Sequence, residues 1–431
     1  MVVTSSPTVR QQPPDFGDEE PEETVDAPDA LAAVPLLEPV GGIPPVTSTP
    51  EALADVLSRM TNGTGPIAID AERASGYRYS QRAYLVQMRR TGAGTAIIDP
   101  IALPDLSELG GALQDVEWVL HAASQDLPCL AEVGMVPQKI FDTELAGRLA
   151  GFERVGLAAM VERVLGYGLE KGHSAADWST RPLPDPWLRY AALDVELLVD
   201  LRDALEAELD KQCKLGWAQE EFAAVLATPP REPRAEPWRR TSGIHRVRNR
   251  RQLAAVRELW QSRDELARTR DIAPGRVLPD SAIIAAVLAA PADIDALRKL
   301  PVFSGPRQRR LASRWWDALV AAAKLPDSAL PTATVSNGEN VPPPNRWAER
   351  DVVAAGRLAR VRAVLNAEAG RLHMPVENLL EPALSRRLAW SPPVELQVEA
   401  VTAALRAGGA REWQISVVAD ELTDALREPA P

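Results

Sequence analysis

Cysteine is almost missing from this chain: Cys129 and Cys213 are its two thiols in 431 residues, and they form no paired motif. A disulfide framework and a cysteine-bound zinc are not suggested, and both side chains are expected to be small buried hydrophobes. Histidine is nearly as scarce. His173, His245 and His373 have no ligand spacing, which disfavours zinc hydrolysis. Long apolar runs are lacking too, the longest being AIIAAVLAA, far short of the roughly 20 residues a membrane span needs. The opening MVVTSSPTVRQQ has no apolar core of the secretory kind, so the expectation is a cytoplasmic protein with no membrane partner.

Lysine is rare in turn, since 42 of the 48 basic residues are Arg, the side chain suited to forking onto phosphate oxygens. The net charge of −12 hides an uneven distribution: residues 1–50 hold one basic and nine acidic residues, whereas residues 231–320 hold 19 and 10. Composition marks the borders. Residues 1–45, rich in Pro, Asp and Glu, read as a disordered acidic tail, because such a segment buries too little surface to offset chain entropy. Residues 227–242 and 325–344 read as linkers, with clustered Pro, Ser, Thr, Asn and Gly. Three folded blocks remain, 46–226, 243–324 and 345–428, and the 45% apolar content suffices for their cores.

The first block alternates strand-like runs (PIAIDAE, YLVQMRR, TAIIDP) with helical stretches (LSELGGALQ, QDLPCLAEVG, ELAGRLAGF, PWLRYAALDVELLVDLRDALEAEL), the pattern of an α/β domain. The other two blocks have helical periodicity throughout and read as all-α. At an offset of 101, Pro274 aligns with Pro375, Leu278 with Leu379, Asp280 with Glu381, Ala282 with Ala383 and Pro291 with Pro392, which hints at a duplicated helical module.

Three acidic clusters follow in order: Asp70 and Glu72 in PIAIDAE, Asp126 in HAASQDL, and Asp194 in RYAALDVELL. Alternate residues of a strand project from one face, so Asp70 and Glu72 point together while Ile67, Ile69 and Ala71 pack inward. Tyr190 and Asp194, four apart, stack on one helical face. Taken singly, each has a bland alternative: a solvated strand end, a first-turn acid complementing a helix dipole, an exposed polar pair. Gathered at one point, four carboxylates repel one another unless divalent cations lie between them, the arrangement of a two-metal phosphodiester-cleaving site.

With their flanking sequences, these clusters resemble the tyrosine-containing branch of the DEDD exonuclease superfamily, and within it the ribonuclease D family. The likeness runs through IAIDAE and YLVQ, VLHAASQDLPCL, FDTELAGRL, the Asp177-Trp178 pair with Arg181 to Leu183, and RYAALDVELL. It implies a ribonuclease H-like domain, a mixed sheet flanked by helices, acting as a 3′-5′ exoribonuclease on single-stranded RNA 3′ ends, with tRNA precursors as substrates; the protein is separately expected to be a monomer. It further implies two divalent cations, Mg²⁺ or Mn²⁺, on Asp70, Glu72, Asp126 and Asp194, with Tyr190 orienting the attacking water. The basic block is similar to a helicase-and-RNase-D C-terminal (HRDC) domain in RVLPDSAIIAA and Leu300 to Pro306, and the third block to a degenerate second copy. Two positions depart from the family pattern: Arg73, where an aromatic or aliphatic residue is commoner, and Gln125, where an acid is. Neither removes a ligand.

Positive grooves with aromatic platforms hold single strands. Arg246, Arg248, Arg250, Arg251, Arg307, Arg309 and Arg310, with Trp260, Trp315 and Trp316 nearby, are therefore candidate substrate contacts, the alternative being a solvated helix face over a Trp-containing core. His121, five residues before Asp126, is another candidate contact, or else a satisfied core histidine. Two other readings stay open: a 3′-5′ exonuclease acting on DNA ends, and an inactive nucleic-acid-binding scaffold.

Overall fold

The computed structural model describes residues 33–169, 172–173, 175–229, 232, 234–332 and 341–427. The first block contains β1 (Val34–Leu36), β2 (Val46–Thr47), α1 (Pro50–Asn62), β3 (Thr64–Arg73), β4 (Ala83–Thr91), β5 (Gly94–Ile98), α2 (Ser107–Ala112), β6 (Trp118–Leu120), α3 (Leu127–Glu132), β7 (Ile140–Asp142), α4 (Thr143–Ala150), α5 (Leu157–Leu165), β8 (Tyr167–Leu169), α6 (Asp185–Glu196), α7 (Leu198–Lys211) and α8 (Leu215–Ala227). Six strands form a mixed sheet in the order β2-β5-β4-β3-β6-β7, with β3 antiparallel to β4 and parallel to β6. The α/β expectation holds, with helices on both faces.

Covering both faces changes the predicted in-out alternation of β3: Ala68 is as fully buried as Ile67 and Ile69. On one face Ile67, Val86 and Met88 join the core under α1, α4 and α7. On the other, Leu85 and Ile97 pack with Leu188, Ala191 and Ala192 of α6. The expected single long helix over 186–209 is two helices, because the backbone leaves helical geometry at Leu197 (φ −109°, ψ 8°). That break lets α6 cross beneath β3, β4 and β5 while α7 turns to the other face.

Residues 1–32 of the predicted acidic tail lie outside the described residues. Its remainder is not unstructured: Val34, Pro35 and Leu36 pair in parallel with Tyr167, Gly168 and Leu169, and Glu38 pairs with Arg189 at 2.9 Å. Both linkers carry structure as well. Trp238, within 227–242, is buried in the core of the basic helical block, and residues 327–331 are held by Arg250 and Arg251. Cys129 is buried as expected; Cys213 is exposed, in a left-handed turn (φ 56°) between α7 and α8.

The basic block comprises α9 (Arg250–Arg270), α10 (Pro274–Val277), α11 (Asp280–Ala289), α12 (Ile294–Lys299) and α13 (Pro306–Lys324); the third comprises α14 (Trp347–Arg350), α15 (Val352–Arg371), α16 (Val376–Leu379), α17 (Pro382–Trp390), α18 (Val398–Ala407) and α19 (Glu412–Arg427). From α9 and α15 onward the same pattern recurs: a long helix, a four-residue turn of helix, two short helices and a second long helix. The backbone correspondence falls at an offset of 102, not the 101 read from sequence: Asp271 and His373 are both left-handed (φ 46° and 48°), and Leu278 and Leu380 are both extended (φ −152° and −155°).

The two helical blocks attach differently. The third shares one continuous apolar core with the α/β domain. Trp217 stacks on Trp413 at 4.7 Å, Glu221 accepts from Trp413 Nε1 at 2.9 Å, and Lys214 Nζ donates to Leu149 O and Leu372 O. The basic block has its own core and is clamped by the β3–β4 loop: Asp271 accepts from Tyr79 N and Ser80 N at 3.1 and 2.9 Å, and Tyr79 OH donates to Asp264 at 3.1 Å. Among the described residues no helix is long and apolar enough to cross a membrane.

Candidate active site

The C-terminal end of β3 delivers Asp70 and Glu72, as the strand period requires. The crossing of α6 brings Asp194 to them: ligand oxygens of Asp70, Glu72 and Asp194 lie within 4.8 Å of one another. Asp126 comes from the turn after β6, at the start of α3, where its side chain makes no capping bond. All four line one cavity of about 740 Å³ with Tyr190, His121, Arg73, Gln125 and Arg154. The bland alternatives for Asp126 and for the strand pair do not describe this geometry, because the carboxylates converge on one cavity, Glu72 and Asp126 buried and Asp70 and Asp194 half-buried.

Their electrostatics follow from that burial. Desolvation raises the Asp70 and Asp194 carboxyls, and Glu72 is pushed well up by burial and then by the charges of Asp70, Asp194 and Asp126. Asp126 is pushed up to about 8, first by burial and next by Asp70. None of Asp70, Glu72 and Asp194 has a salt-bridge partner among the described residues. Packed carboxyl oxygens with no salt-bridge partner suit hard divalent ions, which take oxygen ligands. Burial and the same charges raise the Tyr190 phenol above its ordinary range, so it stays protonated.

Two supporting residues, Gln87 and Asp142, were not singled out by sequence reasoning. Gln87, fully buried on β4, donates Nε2 to Asp70 Oδ2 at 2.5 Å while its Oε1 has no partner. Its place in YLVQ, opposite Asp70 in the ladder, was the available signal. Asp142, at the end of β7, accepts from the backbone N–H of Ala122, Ala123, Glu144 and Leu145, and so fixes the turn that carries Asp126. The Asp177-Trp178 pair packs under the tyrosine motif: Trp178 is fully buried, 6.4 Å from the Tyr190 ring and 5.4 Å from Trp187. Arg181 forks onto Asp99 at 2.7 and 2.8 Å and locks that segment to the end of β5.

The candidate substrate contacts separate. His121 lines the cavity, but Nδ1 bonds Thr143 Oγ1 at 2.9 Å and the Val155 backbone also engages the ring; burial lowers it to about 4, so it is neutral. Arg250 donates to Asp327 O, Leu330 O and Pro331 O, and Arg251 to Leu325 O at the end of α13, so both are spent on the protein's own carbonyls. Arg246, Arg248, Arg307, Arg309 and Arg310 are exposed, away from the carboxylate cavity. Trp315 is fully buried and donates to Gln308 Oε1 at 2.9 Å; Trp260 and Trp316 are half-buried against the same core.

Comparison with known proteins gives matches along most of the chain. Residues 45–210 match a family described as 3′-5′ exonuclease, residues 252–319 the HRDC domain, and residues 340–426 a family described as 3′ to 5′ exonuclease C-terminal domain. Ribonuclease D of Acidiphilium cryptum is 33% identical over 341 residues, covering 77% of this chain and 82% of the relative. Ribonuclease D of Gluconacetobacter diazotrophicus is 32% identical, covering 67% and 74%. Among solved structures, a protein from Bifidobacterium adolescentis aligns at a TM-score of 0.85 with 40% identity, covering 92% of this chain and all of that one. Escherichia coli RNase D, an exoribonuclease involved in structured RNA processing, aligns at 0.64 with 25% identity, covering 89% and 98%.

Proposed function

Because the chain belongs to the ribonuclease D family of 3′-5′ exoribonucleases, we propose that Asp70, Glu72, Asp126 and Asp194 hold two divalent cations, Mg²⁺ or Mn²⁺, and that Tyr190 orients the water attacking the terminal phosphodiester. The observation that carries this reading is the convergence of Asp70, Glu72 and Asp194 oxygens within 4.8 Å, with Glu72 buried, Asp70 and Asp194 half-buried, and none of the three in a salt bridge among the described residues. Bound there, the cations supply Lewis acidity: they lower the pKa of the attacking water and neutralise charge on the leaving 3′ oxygen. Gln87 aims Asp70 and favours its charged form against the burial that raises it, and Asp142 keeps the Asp126 turn in place. Tyr190, whose phenol burial and the neighbouring carboxylates raise in the metal-free protein, serves in this reading by hydrogen bonding and orientation.

The substrates in this reading are 3′ ends of structured RNA, tRNA precursors among them. Support comes from the E. coli relative's part in structured RNA processing and from the exposed Arg246, Arg248, Arg307, Arg309 and Arg310, unencumbered by the contacts that occupy Arg250 and Arg251. One chain supplies all four carboxylates and Tyr190, which supports a monomer as the unit of activity. We read residues 345–428 as a diverged second copy of 243–324, on the shared element order and the paired left-handed residues Asp271 and His373.

The test is a 5′-labelled RNA with a tRNA-like stem and an unpaired 3′ extension, incubated with Mg²⁺ or Mn²⁺ beside a matched DNA strand. A ladder shortening from the 3′ end, absent with EDTA and in Asp194→Asn and weak on DNA, is the expected result. RNA binding without shortening would instead favour the scaffold reading.

A further inference from the structure

Arg73 is out of place on β3. It follows Glu72 directly, so strict alternation would turn it to the opposite face from the metal-site carboxylates. The β3–β4 pairing slips at this point, from Glu72 opposite Leu85 to Arg73 opposite Ala83, and an irregularity of this kind re-aims a side chain. Arg73 accordingly lines the same cavity as Asp70, Glu72, Asp126, Tyr190 and Asp194. Its one partner among the described residues is Asp126, at 3.5 Å through a single nitrogen. That contact is loose beside the forked Arg181–Asp99 pair at 2.7 and 2.8 Å. Asp126 is also the carboxylate that stands outside the close trio of Asp70, Glu72 and Asp194.

We propose that Arg73 exchanges partners during the reaction cycle: it holds Asp126 in the metal-free protein, and once Asp126 becomes a metal ligand its guanidinium binds the phosphate of the terminal nucleotide. The inference rests on the metal-site reading above and adds a substrate ligand to it. Charge balance drives the exchange. Four carboxylates and two dications cancel, so the arriving phosphodiester is the uncompensated negative charge in the cavity, and a guanidinium is the group that can fork onto its oxygens. The side chain has room to turn, being 28% exposed against 7% for Asp126.

The two roles separate in binding experiments on the full-length chain, because loss of Arg73 should shift two affinities in opposite directions. Calorimetric titration of Arg73→Gln with Mn²⁺ alone should show tighter binding than wild type, by about threefold or more, since a competing cation is gone. Titration of the Mn²⁺-loaded variant with AMP, a nucleoside 5′-monophosphate of the kind released, should show affinity down by about 10-fold or more, with Arg73→Lys in between. AMP affinity within about twofold of wild type, or Mn²⁺ affinity unimproved, would overturn the proposal. If Arg73→Gln does not fold, Arg73→Lys, which keeps the charge and loses the fork, carries the AMP comparison. Wild type with no Mn²⁺ site sensitive to Asp194→Asn would defeat the metal-site reading itself; an intact site with unaltered Arg73 variants defeats the exchange alone.

Discussion

Asp142 holds Ala122 in a left-handed turn: the Ala122 N–H donates to Asp142 Oδ1 at 3.1 Å, and Ala122 has φ 61°. Such a backbone costs a residue with a Cβ about 1–2 kcal/mol, and the turn it makes sets Asp126 at the mouth of α3.

This arrangement separates stability from function. Asp142→Asn should destabilise the protein by about 2–3 kcal/mol, since a carboxylate accepting four backbone N–H bonds is replaced by a neutral group that accepts fewer. Activity should fall with it as Asp126 loses its fixed position. Ala122→Gly should raise stability by about 1 kcal/mol, the left-handed conformation being free for glycine, and leave turnover near wild type. Chemical denaturation with parallel rate measurements checks both.

Metal removal should cost more stability at alkaline pH. The folded-state pKa of Asp126 is raised to about 8, and those of Asp70, Glu72 and Asp194 are raised as well. For an acid raised on folding, stability is fully present below its unfolded pKa, about 4, and is lost as pH climbs through the folded value. The Tm of the EDTA-treated protein should therefore drop between about pH 4 and about pH 8, and the gain in Tm on adding Mn²⁺ should widen over the same range. Asp194→Asn, by removing one of the crowded charges, should flatten the metal-free profile.

Tyr190→Phe should lower kcat by about 100-fold while leaving KM within a few-fold, because the hydroxyl acts on the attacking water and not on ground-state binding. Burial and the charges of Asp194, Glu72 and Asp70 raise the phenol in the metal-free protein. A hydroxyl that orients water without taking its proton leaves any rise of rate with pH through the neutral range to other groups, so that rise should survive in the variant. A rising limb lost in Tyr190→Phe would return the tyrosine to the role of base.

RNA grip should divide the basic block in two. Replacing Arg307, Arg309 and Arg310, exposed on the first turn of α13, by Gln should weaken RNA binding and reduce the salt dependence of log K by about 2, given about 0.7 per phosphate contact on a single strand. Replacing Arg250 and Arg251 should act mainly on stability, since their donors close the carbonyls that follow α13. Filter-binding titrations at several salt concentrations, beside thermal melts, distinguish the two outcomes.

Much of the site was legible in sequence because each part is local. A strand presents Asp70 and Glu72 on one side by its period of two, a helix stacks Tyr190 and Asp194 by its period of 3.6, and Ser124-Gln125-Asp126 precedes an apolar helical run. Charge counts exposed the basic block, and the three main strands were readable as apolar runs bounded by Gly, Pro or charge. The strands Trp118–Leu120 and Ile140–Asp142 were not, being three residues each, too short for a period to register. Helices α1, α5 and α8 also went unmarked, and the break at Leu197 is invisible in a pattern that stays helical on both sides.

Sequence by itself determined which carboxylates this protein can bring to bear and in what order along the chain, because the identity of a ligand and its face on a strand or helix are set by covalent order and backbone period. Tertiary structure alone decided which groups support or oppose them: Gln87 against Asp70, Asp142 beneath the Asp126 turn, Arg73 swung onto Asp126 by a slip in pairing, and Arg250 and Arg251 spent on backbone carbonyls. A side chain's partner is fixed by how separate elements cross, and burial, which raises the pKa values of all four carboxyls, arises only when those elements exclude water together.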